Sequence, residues 1–313
     1  MPTGIRSAGR YPSMCNPGEG SGSATVDVDA WVAAAECHSA EHRIRRVMRI
    51  ILFAIADSPT LRTKMVMKGG VLLALRYGTH RHTKDVDFST RNRARVEDPQ
   101  QMVEALDTAL QRARRMDPEV LCRIQSSKMK PPEESASFPT LRIKIGYALQ
   151  GEKVHQRMTK GAHSPHTVTV DLSFNEQTCL TSKLILDAKH EVLAYSLFDQ
   201  IAEKYRAMIQ QTQDRRNRIR RQDVYDIFTV IRSGYLATRA DQETLLDTMQ
   251  QKFRSRSVDC GRNTITDPEI AERSRREYPQ LAHEIDGPLP DFDEVFDVVK
   301  RFYLDLPWNP EQD

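Results

Sequence analysis

Two aspartates separated by one residue, Asp85 and Asp87, lie in the segment DVDFS and have the chemistry to bind a metal ion. Charged and apolar residues alternate here with a period of two, which predicts a β-strand with both carboxylates on one face. Carboxylates this close raise each other's pKa unless a cation lies between them. Mg²⁺ takes one or two carboxylates and completes its shell with water and phosphate oxygens, so the pair indicates a metal–phosphate site. A solvated strand face is the alternative for an isolated pair.

A glycine pair precedes these aspartates in the chain. Gly69 and Gly70 end the apolar run MVMK and open the helical pattern VLLALRY. A strand, a tight turn and a helix in this order let backbone N–H groups approach an anion, and the helix dipole assists. A glycine turn alone is a weak signal. One strand before the aspartates, it predicts a phosphate-binding turn beside the metal. The predicted nucleotide contacts in this part of the chain are Lys68, Gly69, Gly70, Arg81 and Thr83.

A third acid, Asp171, lies within the strongly β-forming run VTVDLSF. A charge that faced the core there would be costly without a partner. If this strand neighbours the Asp85 strand, three carboxylates converge, which suffices for an arrangement of two metal ions that activates a hydroxyl and steadies a leaving pyrophosphate. We therefore predict Asp85, Asp87 and Asp171 as metal ligands. An outward-facing strand residue is the alternative for Asp171.

The motifs KGG, RHTKDVDF and VTVDLSF, in this order, resemble the pattern of the nucleotidyltransferase superfamily. More closely, MKGGVLLALRYGTHRHTKDVDF with the downstream IAEKYRAM and RRQDVYDIF resembles the AbiEii/AbiGii toxin family and its MenT-type relatives, over residues 65 to 235. The resemblance implies a Mg²⁺-dependent nucleotidyltransferase toxin with an NTP substrate and a cognate antitoxin. The catalytic residues it implies are Asp85, Asp87, Lys204 and Asp223, with Lys204 on the nucleotide phosphates.

The turn departs from the family pattern at one position. The family sequence reads G-G-x-[ST], whereas the fourth residue here is Leu72, which has no hydrogen-bond donor in its side chain. Either the backbone amides of Gly70 and Val71 suffice to hold the triphosphate, or triphosphate binding is altered.

An arginine-rich segment, DRRNRIRRQD, separates two helical patterns just before Asp223. Most such runs are solvated loops, but a concentration of arginine beside a candidate site also fits a groove for an RNA backbone. The family resemblance points the same way, because MenT-type toxins add nucleotides to the 3′ end of tRNA. A protein or small-molecule hydroxyl as the acceptor, and a catalytically inactive module that binds nucleotide or antitoxin, are the alternatives. The predicted RNA contacts are Arg215, Arg216, Arg218, Arg220 and Arg221.

The elements that must position these residues indicate an α+β fold. We predict a disordered leader over residues 1–25, a nucleotidyltransferase-like mixed β-sheet portion over 26–185 and a mainly helical portion over 186–313. Strands are predicted at EVLCRIQSS, LRIKIGYAL and HTVTVDLSF, and a helix at DPQQMVEALDTALQRARRM. Four amphipathic helical patterns follow in the last third of the chain.

The composition of the chain limits the classes of protein and of binding site that it can form. The 313 residues are 39% apolar and carry a formal net charge of +3, so any phosphate binding comes from local clusters of charge. The five cysteines are far apart and form no C-x-x-C spacing, which argues against a disulfide framework or a structural zinc site and fits a reducing cytoplasm. No apolar run approaches the roughly 18 residues that a membrane span needs, so no membrane partner is expected.

Overall fold

The computed structural model describes residues 22–79, 81–90, 98–132, 136–213 and 220–309, and these form a mixed β-sheet covered by helices. This confirms the predicted α+β fold class. The strands are β1 (Ala24–Thr25), β2 (Met65–Lys68), β3 (Asp85–Thr90), β4 (Val120–Lys130), β5 (Thr140–Leu149), β6 (Thr167–Ser173), β7 (Thr181–Ile185) and β8 (Glu191–Tyr195).

The α-helices are α1 (Val28–Ala33), α2 (Ala40–Asp57), α3 (Pro59–Lys64), α4 (Gly69–Tyr77), α5 (Asp98–Ala113), α6 (Lys153–Thr159), α7 (Leu197–Gln213), α8 (Arg221–Arg232), α9 (Arg239–Ser255), α10 (Pro268–Arg275) and α11 (Phe292–Leu304). Short 3₁₀ helices cover Arg114–Met116, Arg262–Thr266 and Tyr278–His283.

The eight strands of the sheet follow the order β1-β7-β8-β2-β3-β6-β5-β4. At its centre β2 pairs antiparallel with β3, and β3 pairs parallel with β6. β5 runs antiparallel to both β6 and β4. The strand that carries Asp171 is therefore the direct neighbour of the strand that carries Asp85, which is the condition on which the third-carboxylate prediction depended.

The two faces of the sheet differ in character because the strands alternate. In β5 the side chains of Leu141, Ile143 and Ile145 are buried in a core that they share with α2 and α5. The residues between them, Arg142 and Lys144, belong to the opposite face, since successive strand residues point to opposite sides. One face of the sheet is thus apolar and covered, and the other carries the charged residues of the candidate site.

Helix α4 belongs to two hydrophobic cores at once. Val71 and Leu72 pack with the sheet core, whereas Leu73 and Tyr77 pack with a second core built mainly from α7 to α11. The glycine turn at the start of α4 is therefore held between the sheet and the helical portion. The division of the chain at residue 185 remains a prediction, and strand β8 lies beyond that residue.

Three further observations concern the sequence predictions. Residues 1–21 of the predicted leader lie outside the described residues, but Ala24 and Thr25 pair with β7, so the prediction of disorder is wrong for these two. Strands β7 and β8 were not predicted; they form a hairpin whose turn is closed by Asp187 Oδ1, which accepts from the N–H groups of Lys189 and His190. Within the described ranges, no helix has the length and apolar character to cross a bilayer.

Candidate active site

A row of four charged residues crosses the centre of the sheet on one face. In register, Lys68 of β2 lies opposite Asp87 of β3, Asp87 opposite Asp171 of β6, and Asp171 opposite Arg142 of β5. Residues in register on adjacent strands share a face, so two carboxylates lie between two cations. Asp85, two residues before Asp87, adds a third carboxylate to the same face.

The glycine turn touches this row directly. Gly69 has φ +79°, and a Cβ built on it would lie 2.2 Å from Oδ2 of Asp87. A Cβ on Gly70 would lie 2.7 Å from Nη2 of Arg81. Neither position has room for a side chain, and the positive φ at Gly69 favours glycine independently. The turn and the Asp85–Asp87 strand are thus brought into contact, as a metal–nucleotide site requires.

A glutamine of α7 already binds the backbone of the turn. The N–H of Gly69 donates to Oε1 of Gln200 at 3.1 Å, and Nε2 of Gln200 donates to the carbonyl of Gly69 at 3.2 Å. The N–H groups of Gly70 and Val71 follow in the first turn of α4, where a helix has no internal acceptors for them. Leu72 is fully buried in the sheet core, so the fourth position of this turn does not face the site.

Asp171 is bound by an arginine from the next strand. Arg142 donates from Nε to Oδ1 of Asp171 at 2.8 Å and from Nη2 to Oδ2. Among the residues that the structure describes, no three or more His, Cys, Asp and Glu side chains are arranged to hold a metal ion. The predicted third ligand is therefore adjacent to Asp87 but paired with Arg142, and Asp85 with Asp87 forms the candidate metal site.

The carboxylates of the candidate metal site, Asp85 and Asp87, have raised pKa values. Burial is the main cause for Asp87, and Asp171 and Asp85 add to it, so its pKa rises to about 6 although Lys68 and Lys204 oppose the shift. Burial and the charge of Asp171 also raise the pKa of Asp85. Burial thus disfavours the charged forms of both carboxylates, and a divalent cation bound between them would lower both pKa values.

Lys68, a predicted nucleotide contact, lies in a buried ionic network. Its Nζ donates to Oε1 of Glu203 at 2.7 Å, and its side chain is buried. Glu203 is also 3.6 Å from Lys252, whose Nζ lies 3.0 Å from Oδ1 of Asp199. Although burial opposes ionisation, Lys68 and Lys252 together lower the pKa of Glu203 far below its usual range. Lys68 therefore acts on Asp87 by its charge from within the protein.

Two further predicted nucleotide contacts, Arg81 and Lys204, bind the same aspartate of α8, Asp226. Arg81 donates from Nε and Nη2 to the two oxygens of Asp226 at 2.9 and 3.0 Å. Lys204 donates to Asp226 at 2.8 Å and to Asp223 at 3.0 Å. Burial alone would raise the pKa of Asp226, but Arg81 and Lys204 hold it at about 2. Arg81 thus anchors the segment before β3 to the helical portion, and the side chain of Lys204 is buried.

The remaining predicted residues lie around this cluster. Thr83 accepts from the N–H of Asp85 at 3.4 Å and donates to its carbonyl at 3.2 Å, which shapes the backbone just before β3. Arg220 donates to Asp223 at 3.2 Å. Arg221 donates to Glu277 at 3.1 Å and to Glu284 at 2.7 Å. The other three predicted RNA contacts, Arg215, Arg216 and Arg218, lie outside the described residues.

Sequence reasoning missed several residues that shape the site. Arg142 carried a signal, because it alternates with buried residues in LRIKIG and thus shares a face with neighbouring strands. Asp226 also carried one, since it lies three residues after Asp223 on a helix. Gln200 and Glu203 carried none, because their partners in β2 and α4 lie more than a hundred residues away in the chain. Their contacts depend on how α7 docks on α4.

A carboxylate pair on a central strand, beside a glycine turn that opens a helix, defines a nucleotidyltransferase-type site. Residues 50–298 match the family model described as "Nucleotidyl transferase AbiEii toxin, Type IV TA system". This is more than half of the chain, so the protein belongs to the AbiEii family and is a nucleotidyltransferase. An NTP substrate, an antitoxin partner and a divalent metal ion follow at the level of the family.

Two solved structures from Helicobacter pylori match this chain at low sequence identity. One, assigned as a nucleotidyltransferase, is 15% identical with a TM-score of 0.47 and covers 84% of this chain and 94% of its own. Another, JHP933, is 15% identical with a TM-score of 0.40 and covers 76% of this chain and 91% of its own. A comparison with curated protein sequences finds no match.

Proposed function

We propose that the protein transfers a nucleotide from an NTP to the 3′ end of tRNA in a Mg²⁺-dependent reaction in the cytoplasm. The observation that supports this most is the contact between Gly69 and the carboxylate of Asp87. The glycine turn lies against the carboxylate pair, where it would bind the triphosphate, and the chain matches the model of a nucleotidyltransferase family.

The residues present fit a Mg²⁺ ion. Asp85 and Asp87 offer hard oxygen donors from one strand face, and Mg²⁺ needs only one or two carboxylates when substrate phosphates and water supply the rest. Burial raises the pKa of both carboxylates, which supports a site that a bound cation would complete. Bound there, Mg²⁺ would neutralise triphosphate charge and polarise the α-phosphoryl group. Asp171 would join the site only after Arg142 released it.

In the proposed reaction, the 3′ hydroxyl oxygen of the acceptor attacks the α-phosphorus of the NTP. A new phosphorus–oxygen bond forms, the bond from the α-phosphorus to the bridging oxygen breaks, pyrophosphate leaves, and the hydroxyl proton passes to water. The protein forms no covalent bond in this step, so its contribution is positioning and charge. The N–H groups of Gly70 and Val71 would hold phosphate oxygens at the helix start.

Lys204 and Asp223 take the remaining catalytic roles in the proposal. Lys204 lies close enough to lower the pKa of Asp87 and is bound to both Asp223 and Asp226. Asp226 is fully buried, whereas the side chain of Asp223 retains 15% exposure. We propose that Lys204 turns from Asp223 to a nucleotide phosphate and keeps its bond to Asp226. The arginines of residues 215–221 would contact the RNA backbone.

The test uses each NTP radiolabelled at the α-phosphate, incubated with purified tRNA, cell protein or a small-molecule extract. We expect label at the 3′ end of tRNA, none after Mg²⁺ is chelated, and none with Asp85→Ala or Asp87→Ala. Label in the protein or small-molecule fraction would identify a different acceptor. Nucleotide binding without label in any fraction would contradict the proposal.

A further inference from the structure

Four cations lie together on the outer strands of the sheet. Lys128 and Lys130 belong to β4, and Arg142 and Lys144 to β5. Lys128 is in register with Arg142, and Arg142 is in register with Asp171, so all of them share the face of Asp85 and Asp87. We call these four residues the basic ledge.

Three of the four ledge residues are exposed lysines, whereas Arg142 is half-buried and paired with Asp171. Lys128, Lys130 and Lys144 are exposed to solvent, and none of the three forms an ion pair with a described residue. No acid of β4 or β5 lies in register on this face, where the other residues are Leu121, Arg123, Ser126, Thr140, Gly146 and Ala148. In a chain with a formal net charge of +3, the ledge is a local concentration of positive charge.

Protection of the sheet edge does not account for all of this charge. Lysines on an edge strand prevent pairing with other chains, and β4 is such a strand. Lys144, however, lies on β5, which is paired on both sides, whereas Arg142 on the same strand is accounted for by its ion pair with Asp171. Positive charge on an interior strand calls for another reason.

The position of the ledge relative to the carboxylates suggests that reason. With strands about 4.8 Å apart, the Cα of Arg142 lies roughly 10 Å from that of Asp87, and that of Lys128 lies roughly 15 Å away. The glycine turn follows β2, on the other side of β3. The carboxylate pair therefore lies between the phosphate-binding turn and the ledge.

We propose that the basic ledge binds the phosphodiester backbone of a single-stranded RNA 3′ end and guides its terminal hydroxyl to Asp85 and Asp87. The inference rests on the proposed function and adds to it a surface for the acceptor. The NTP occupies the side of the turn, and the phosphates upstream of the reacting hydroxyl lie over β5 and then β4. Lysine and arginine bind such a backbone without regard to sequence.

The experiment measures RNA binding by fluorescence anisotropy, with a 5′-labelled single-stranded RNA of about 12 nucleotides, within the usual site size of such surfaces. The ledge variant is Lys128→Gln/Lys130→Gln/Lys144→Gln. The matched control removes the same number of charges from exposed positions elsewhere, Lys183→Gln/Lys189→Gln/Arg239→Gln; Lys183 and Lys189 belong to the β7–β8 hairpin toward the opposite edge of the sheet.

For the ledge variant we expect RNA affinity to fall about tenfold or more, and the slope of log affinity against log salt to shrink by about 2, because three phosphate contacts are lost. The KM for NTP stays unchanged, and the control variant binds RNA as the wild type does. Equal melting temperatures exclude misfolding as the cause. If the triple variant aggregates, Lys144→Gln alone, on the interior strand, gives the same test with a slope change of about 0.7.

RNA binding unchanged in the ledge variant overturns the inference. Self-association of that variant with unchanged RNA binding overturns it too, and assigns the lysines to edge protection. The ledge variant could lose RNA binding while the wild-type protein transfers no nucleotide. That result supports RNA binding by the ledge and contradicts the proposed function. The ledge variant could instead transfer nucleotide to tRNA with an unchanged KM for tRNA. That result supports the proposed function and contradicts the role proposed for the ledge.

Discussion

Replacement of Gly69 by alanine tests the contact on which the site depends. The residue has φ +79°, which costs a non-glycine residue about 1–2 kcal/mol. The new Cβ would also lie 2.2 Å from Oδ2 of Asp87, and relief of such overpacking costs typically about 1–3 kcal/mol. We expect Gly69→Ala to lower the free energy of unfolding by roughly 2–5 kcal/mol in all.

Gly78, at the other end of α4, provides the matched control. It has φ +65°, and a Cβ there would meet no atom within 4 Å. Gly78→Ala therefore carries the backbone cost alone, about 1–2 kcal/mol. Urea unfolding followed by circular dichroism compares the two variants, and the difference between them measures the collision with Asp87.

A double variant then assigns the collision to its partner. Asp87→Ala removes Oδ2, so in the Gly69→Ala background it should restore about 1–2 kcal/mol of the lost stability, although the Cβ of Asp87 remains 2.9 Å away. Equal destabilisation by Gly69→Ala and Gly78→Ala, or no recovery in the double variant, would refute the contact. The glycine turn would then not lie against the carboxylate strand.

Three further predictions concern the charged residues around the turn. Asp85→Ala should abolish nucleotide transfer while the melting temperature stays unchanged or rises slightly, because carboxylate repulsion is relieved; loss of folding would make Asp85 structural. Arg81→Ala leaves the buried Asp226 carboxylate without its bidentate partner and should cost about 3–5 kcal/mol in urea unfolding, whereas Arg239→Ala, an exposed pair, should cost less than about 1 kcal/mol. Since folding raises the pKa of Asp87 to about 6 from 3.8, the folded state binds more protons between these values, and the unfolding free energy of the metal-free protein should increase by about 1 kcal/mol from pH 7 to pH 5. Asp87→Asn should lose this increase, and an identical pH profile for both proteins would contradict the raised pKa.

Local patterns were sufficient to predict the strand and the turn that carry the candidate site. The period of two in DVDFS placed Asp85 and Asp87 on one face, and glycines after a short apolar run predicted the turn into α4. The acid in VTVDLSF lies on the neighbouring strand, as the third-carboxylate prediction required. These features depend on short-range rules of backbone geometry, which sequence expresses directly.

The partners of the charged residues could not be predicted in the same way. Whether Lys68 faces a phosphate or Glu203 depends on how α7 docks against β2, and whether Asp171 is free depends on Arg142 in the next strand. In both cases the charged side chain could bind either of two partners of similar chemistry, and the tertiary packing determines which one it binds. Strand β8 was missed for a related reason, because its burial between β7 and β2 replaces alternation with an apolar run.

The most direct test of the central claim is a crystal structure with a non-hydrolysable NTP and Mn²⁺, which suits the same oxygen ligands as Mg²⁺ and scatters anomalously. We expect the anomalous peak between the carboxylates of Asp85 and Asp87, with the triphosphate at the N-terminus of α4. Nucleotide bound elsewhere, or bound at the turn while Asp85 and Asp87 hold no metal, would contradict the account.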